Sequence, residues 1–115
     1  MWPGAISGAI SGSEVIKVDN NEVYCSEGKV CSEIDVLGIS MENRDGGKVR
    51  ITFKNRTSNT ALIQVRIEIR SAQGQVLTES RPENVSIAPT QERAYEMPGI
   101  ARKGASVRVL MNTAY

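Results

Sequence analysis

One run of sequence decides the fold, Val49-Arg-Ile-Thr-Phe-Lys-Asn-Arg-Thr-Ser-Asn-Thr-Ala-Leu-Ile-Gln-Val-Arg-Ile-Glu-Ile-Arg70, two alternating stretches joined by the polar Asn55-Arg-Thr-Ser-Asn-Thr60. Apolar side chains occupy every second position, at Val49, Ile51 and Phe53 and again at Ile63, Val65, Ile67 and Ile69. Successive side chains of a strand point to opposite faces, so each stretch reads as a half-buried β-strand. The outward positions are Lys48, Arg50, Thr52 and Lys54, then Gln64, Arg66, Glu68 and Arg70. If the two strands pair as a hairpin with Phe53 opposite Ile63, Arg50 faces Arg66 and Lys48 faces Glu68. An Arg–Arg pair costs some stability and asks for an anionic partner or a nearby Glu. In a sandwich the same two strands can instead lie in opposite sheets.

Outward from this centre the chain shows short strands and frequent turns. Glu14–Val18 reads as a first strand before the turn Asp19-Asn20-Asn21. Val23, Tyr24 and Val30 flank a cysteine loop. Ile34–Met41 is the next strand, with Gly38 marking a bulge. Asn43-Arg-Asp-Gly-Gly47 is a turn. After Arg70, the segment Ala72-Gln-Gly74 turns into a short strand at Gln75–Glu79. Pro82 breaks that strand, because it cannot donate to a ladder. Val85–Ile87, Glu92–Met97 and Ala105–Met111 complete the set, the last with Val107, Val109 and Met111 inward. Seven or eight short strands at this spacing predict an all-β chain folded as an antiparallel β-sandwich over residues 14–115.

Residues 1–13 differ. Gly4, Gly8 and Gly12 punctuate a repeat, Gly-Ala-Ile-Ser, that places Trp2, Ile6 and Ile10 at every fourth position. Each Gly costs about 1 kcal/mol of helix propensity, so the segment is expected to be a flexible arm. Trp is a favoured anchor in protein contacts, which makes Trp2, Ile6 and Ile10 candidate docking residues.

A chain of 115 residues forms one domain with a real core. Its formal net charge of +1 offers no concentrated positive field for nucleic acid. There is no histidine, so the commonest general base and metal ligand are missing. Cys25 and Cys31 with carboxylates make a poor zinc set. Ser and Cys nucleophiles lack a partner base, and no Gly-rich phosphate loop opens a helix. No enzyme, cofactor or metal is expected. No run approaches a membrane span, and no secretory signal peptide is written.

The cysteines stand in Cys25-Ser-Glu-Gly-Lys-Val-Cys31, which is not the spacing of a redox or zinc motif. They can close a small disulfide loop across a turn at Glu27-Gly28, or remain reduced in a strand pair. An oxidising compartment would favour the bond, worth about 2–3 kcal/mol in the chain-entropy view. Asn55-Arg-Thr57 and Asn84-Val-Ser86 fit the glycosylation sequon, which two chance matches explain.

Four segments carry a family likeness over residues 36–111: Ile51-Thr-Phe-Lys-Asn55, Val65-Arg-Ile-Glu-Ile-Arg-Ser-Ala-Gln-Gly74, Ile87-Ala-Pro89 and Val107-Arg-Val109. In these the chain resembles the YcfL-type small bacterial envelope proteins and, more loosely, immunoglobulin-like accessory domains. The resemblance implies an immunoglobulin-like sandwich with a binding or structural role. The chain departs from the pattern in lacking aromatic residues in the long strand and a lipobox cysteine before the domain.

Three functional expectations follow. The first is a structural subunit of a larger assembly, a virion decoration or minor structural protein docking through its arm, with other protein subunits as partners. Arg50, Arg66 and Arg70 would supply a second contact face, whose bland alternative is a solvated sheet surface. The second is a YcfL-like periplasmic accessory protein with a Cys25–Cys31 disulfide. The third is a small ligand- or carbohydrate-binding sandwich, disfavoured by an aromatic content of 4%.

Overall fold

A computed structural model describes residues 14–114. Nine strands and one short helix occur among them: β1 (Glu14–Val18), β2 (Asn21–Cys25), α1 (Gly28–Glu33), β3 (Ile34–Met41), β4 (Val49–Asn55), β5 (Ala61–Arg70), β6 (Val76–Glu79), β7 (Glu83–Ile87), β8 (Glu92–Met97) and β9 (Ser106–Thr113). They form the expected all-β sandwich. The larger sheet runs β1-β2-β9-β5-β6, and β7 continues along the β5 edge beyond β6. The smaller sheet runs β3-β4-β8.

The alternation in the central runs does what it predicts. Val49, Ile51, Phe53, Val65, Ile67 and Ile69 are fully buried between the sheets. Val107, Val109 and Met111 join them from β9, and Val85 and Ile87 from β7. Burying one such side chain contributes about 2 kcal/mol, so the inward row dominates stability.

The hairpin reading of β4 and β5 does not hold. β4 pairs with β3 and β8, while β5 pairs with β9, β6 and β7. Residues 56–60 are therefore a crossover between sheets. Arg50 lies opposite Glu96, and Arg66 lies opposite Leu110. Both strands have one apolar face, and facing those rows across the core buries both at once.

Three further differences have local causes. β2 is a full strand because it gains β9 as a parallel neighbour, with Val23 opposite Val109. This pairing makes the larger sheet mixed rather than purely antiparallel. The expected turn at Glu27-Gly28 is the start of α1, whose Val30 and Cys31 are buried. Six residues are too few to show a helical period. The β5 edge is shared by two strands because Ser80-Arg81-Pro82 interrupts it, as Pro82 requires.

Turn chemistry matches the sequence. Asp19 takes φ 56° in the β1–β2 hairpin, a left-handed position that Asp tolerates. Gly74 takes φ 85° and donates its N–H to the Ser71 carbonyl at 2.9 Å. The β3–β4 register shifts between Val36 and Gly38, where a bulge was expected.

Candidate functional site

The outer face of the larger sheet carries a row of charges, each directly opposite the next. Lys17 on β1 faces Glu22 on β2, Glu22 faces Arg108 on β9, Arg108 faces Glu68 on β5, and Glu68 faces Glu79 on β6. Lys17 and Arg108 approach Glu22 at 3.8 and 3.9 Å. Glu68 is only 8% exposed. Arg70 donates to its Oε1 from Nε and Nη2 at 3.2 and 3.0 Å. Arg66 stands 3.7 Å from Glu68 and 3.5 Å from Glu79, between the two like charges. Arg66 and Arg70 are thus engaged with carboxylates of their own sheet, the relief by a nearby Glu that the sequence allowed.

Beside this row lies a groove of about 520 Å³. Gln64 and Arg66 of β5 and Leu110 and Asn112 of β9 form its floor. Tyr24 of β2 makes one wall, and the Ser80-Arg81-Pro82 link makes the other. The Arg108 guanidinium sits 5.0 Å from the centre of the Tyr24 ring, a cation–π distance that fixes the ring against the sheet. Ser26 Oγ donates to Asn112 Oδ1 at 2.7 Å. Arg81 is exposed and has no carboxylate at salt-bridge distance among the described residues. The groove therefore offers one apolar side chain, Leu110, in a polar floor, an aromatic wall, the Glu79 carboxylate held by Arg66, and one cation, Arg81, outside any ion pair among the described residues.

Arg50 lies on the other side of the molecule. It donates to Glu96 Oε2 at 3.2 Å, and Lys48 approaches the same oxygen at 3.5 Å. The three arginines of the sequence reading do not form one patch. Trp2, Ile6 and Ile10 lie outside the described residues.

Cys25 and Cys31 are bonded, with Cα atoms 5.8 Å apart, and the bond pins α1 to the end of β2. At the opposite edge Tyr95 of β8 donates its hydroxyl to Glu83 Oε1 at 2.7 Å, linking the two sheets. Burial, then the hydrogen bond to the Glu83 carboxylate, pushes the phenol up to about 12.

Asn55 is fully buried at the start of the crossover. Its Nδ2 donates to the carbonyls of Asn59, Ile87 and Ala88 at 2.7, 3.0 and 3.3 Å. Its Oδ1 accepts from the Thr57 N–H at 2.9 Å and the Thr57 hydroxyl at 2.8 Å. The sequon-like Asn55-Arg-Thr57 is thus a polar lock that shapes residues 56–60 and holds them to β7.

Among the described residues no group of three or more His, Cys, Asp or Glu side chains is placed to hold a metal ion. No helix among them is long and apolar enough to cross a membrane. The sequence reading missed Tyr24, Arg81, Arg108 and Leu110. Alternation in Ala105–Met111 already marks Arg108 and Leu110 as outward, but nothing local places them beside Tyr24.

No family model matches the sequence, and no curated protein matches it. Two solved structures share the fold. A DUF1425 family member from Shewanella sp. pv-4 superposes with a TM-score of 0.58 at 10% identity, covering 91% of this chain and 92% of that one. Campylobacter jejuni cj0090 superposes with a TM-score of 0.51 at 12% identity, covering 68% of this chain and 84% of that one.

Proposed function

We propose that this protein is a non-enzymatic accessory module of the bacterial envelope, a YcfL-like protein that works by holding a protein partner on the outer face of its larger sheet. The groove between Tyr24 and Arg81 carries the reading. A mostly polar floor with Leu110 in it and a cation at Arg81 that makes no ion pair suits an extended protein segment that presents an apolar residue to Leu110 and a carboxylate to Arg81. The Cys25–Cys31 bond supports an oxidising compartment. The likeness to a DUF1425 member over nearly the whole of both chains supports an envelope protein rather than a virion subunit.

Site-directed photo-cross-linking in bacteria tests the groove. A cross-linker at Leu110 should give one discrete protein adduct, and Arg81→Glu should remove it. A cross-linker at Leu37, exposed on the smaller sheet, should give none. Equal adducts from both positions would sink the binding face. The compartment is tested by alkylating acid-quenched cells. Both cysteines should resist modification until reductant is added.

A further inference from the structure

The charge row on the outer face of the larger sheet does not balance along its length. Arg66 and Arg70 answer Glu68 and Glu79, two cations to two carboxylates. Among the described residues Lys17 and Arg108 have only Glu22 between them, two to one. Their distances to it, 3.8 and 3.9 Å, are too long for hydrogen bonds. The Arg108 Nε is buried and has no hydrogen-bond acceptor. A buried donor without an acceptor is uncommon in folded chains and calls for a cause. Residues 1–13 and 115 include no Asp or Glu, so no acidic side chain is left out of this count.

A pocket of about 310 Å³ opens on this surplus. Lys17, Glu22, Arg70 and Arg108 line it, with Ser106 and the turn that follows β5. Arg70 is already held by Glu68. What remains is Lys17 and Arg108 against Glu22, a surplus of one positive charge. The Lys17 side chain is 65% exposed and able to turn toward a ligand. A surplus of one suits a monoanion. A phosphate monoester carries about −1.5 to −2 and would face Glu22 at close range, whereas a carboxylate carries a single charge.

The pocket and the groove share a strand. Ser106, Arg108, Leu110 and Asn112 are the outward residues of β9, the first two in the pocket and the last two in the groove. Arg108 stands at the junction, its guanidinium against Tyr24 of the groove wall. Ser106 and Leu110 are four residues apart, about 13 Å along a strand. An extended segment whose apolar residue meets Leu110 therefore reaches the pocket with a side chain about two to four residues further on.

We infer that the pocket between Lys17 and Arg108 takes a second carboxylate of the segment held in the groove, so that the protein recognises an acidic stretch with an apolar residue inside it. The inference rests on the groove reading of this face and adds the partner's chemistry to it.

Photo-cross-linking in bacteria separates the two. Cross-linkers at Leu110 and at Ala72, an exposed residue of the pocket lining, should capture the same protein. The captured peptide should carry an Asp or Glu about two to four residues from the residue bonded at Leu110. Lys17→Glu should cut capture from both positions at least about 10-fold, and Lys17→Arg should keep it. Lys17→Gln, with a loss of at least about 3-fold, serves in its place if the charge reversal unsettles the fold. Capture at Leu110 that ignores both Lys17→Glu and Lys17→Gln would leave the groove standing and overturn the pocket. A captured peptide with no acid in that interval would do the same. Capture from neither position would overturn groove and pocket together.

Discussion

The two outer faces of the sandwich carry the same kind of residue in different electrical settings. On the smaller sheet Arg50 and Lys48 share Glu96, and all three side chains are 42–53% exposed. On the larger sheet Arg66 and Arg70 hold Glu68, whose side chain is 10% exposed, and Arg108 is its neighbour in register on β9. The first cluster gains little, because water and salt screen it and ordering long side chains costs entropy. The second has a carboxylate that cannot turn to solvent if its partners leave. Position in the sheet, not residue type, separates them: Glu96 lies on β8, the outer strand of the smaller sheet among the described residues, whereas Glu68 lies on β5, between β9 and β6, under two arginines of its own strand.

The largest expected effect attacks what keeps the faces apart. Asn55→Asp keeps the shape of the side chain but turns three donated hydrogen bonds into contacts between acceptors. We expect a loss of about 3 kcal/mol or more, read from the urea midpoint. A loss below about 1 kcal/mol would mean that the crossover holds without its lock. Next is Glu68→Ala, which takes from Arg70 its carboxylate partner and leaves Arg66 with Glu79 alone, and should cost about 2 kcal/mol. Its counterpart Glu96→Ala should cost no more than about 0.5 kcal/mol and lose even that in high salt. Equal costs at the two sites would erase the distinction.

The edge linking the faces gives a pH signature. The Tyr95 phenol is raised from 10.0 to about 12 in the folded chain. The unfolded chain therefore releases this proton first as pH rises. The contribution of Tyr95 is complete below pH 10 and is lost as pH climbs toward 12. Wild type should lose stability across that window faster than Tyr95→Phe, with the difference following tyrosinate absorbance. Parallel curves would remove the Tyr95–Glu83 link from the account. The smallest effect concerns Arg81. Arg81→Gln should leave the urea midpoint within about 0.5 kcal/mol of wild type, since an exposed cation without an ion pair has little to lose.

Much of the fold was legible because period-2 alternation is a local signal. Ile34–Met41 and Glu92–Met97 are strands over those residues, and the inward residues of β4, β5 and β9 are the core. Parity names a face, however, and not a sheet. Arg50 and Arg66 have the same parity relative to their apolar rows and end up on opposite sides of the molecule. The groove was less legible still. Tyr24 and Leu110 become neighbours through a parallel pairing across more than eighty residues, and no local pattern encodes it. Asn55 shows a third limit. Its sequence signature matches a modification site, but full burial with five hydrogen bonds makes it architecture.

The place of β9 has a consequence for how the molecule is made. This last strand of the described chain lies in the interior of the larger sheet, between β2 and β5. A ribosome delivers β1 and β2 early, but their hairpin has no sheet to join until residues 106–113 have emerged. Sheets that depend on such distant pairings close slowly. Until then the edges of β2 and β5 that pair with β9 are both open. For as long as its final strand is unmade, a nascent chain of this design carries two unpaired strand edges, the places where it would pair with another chain.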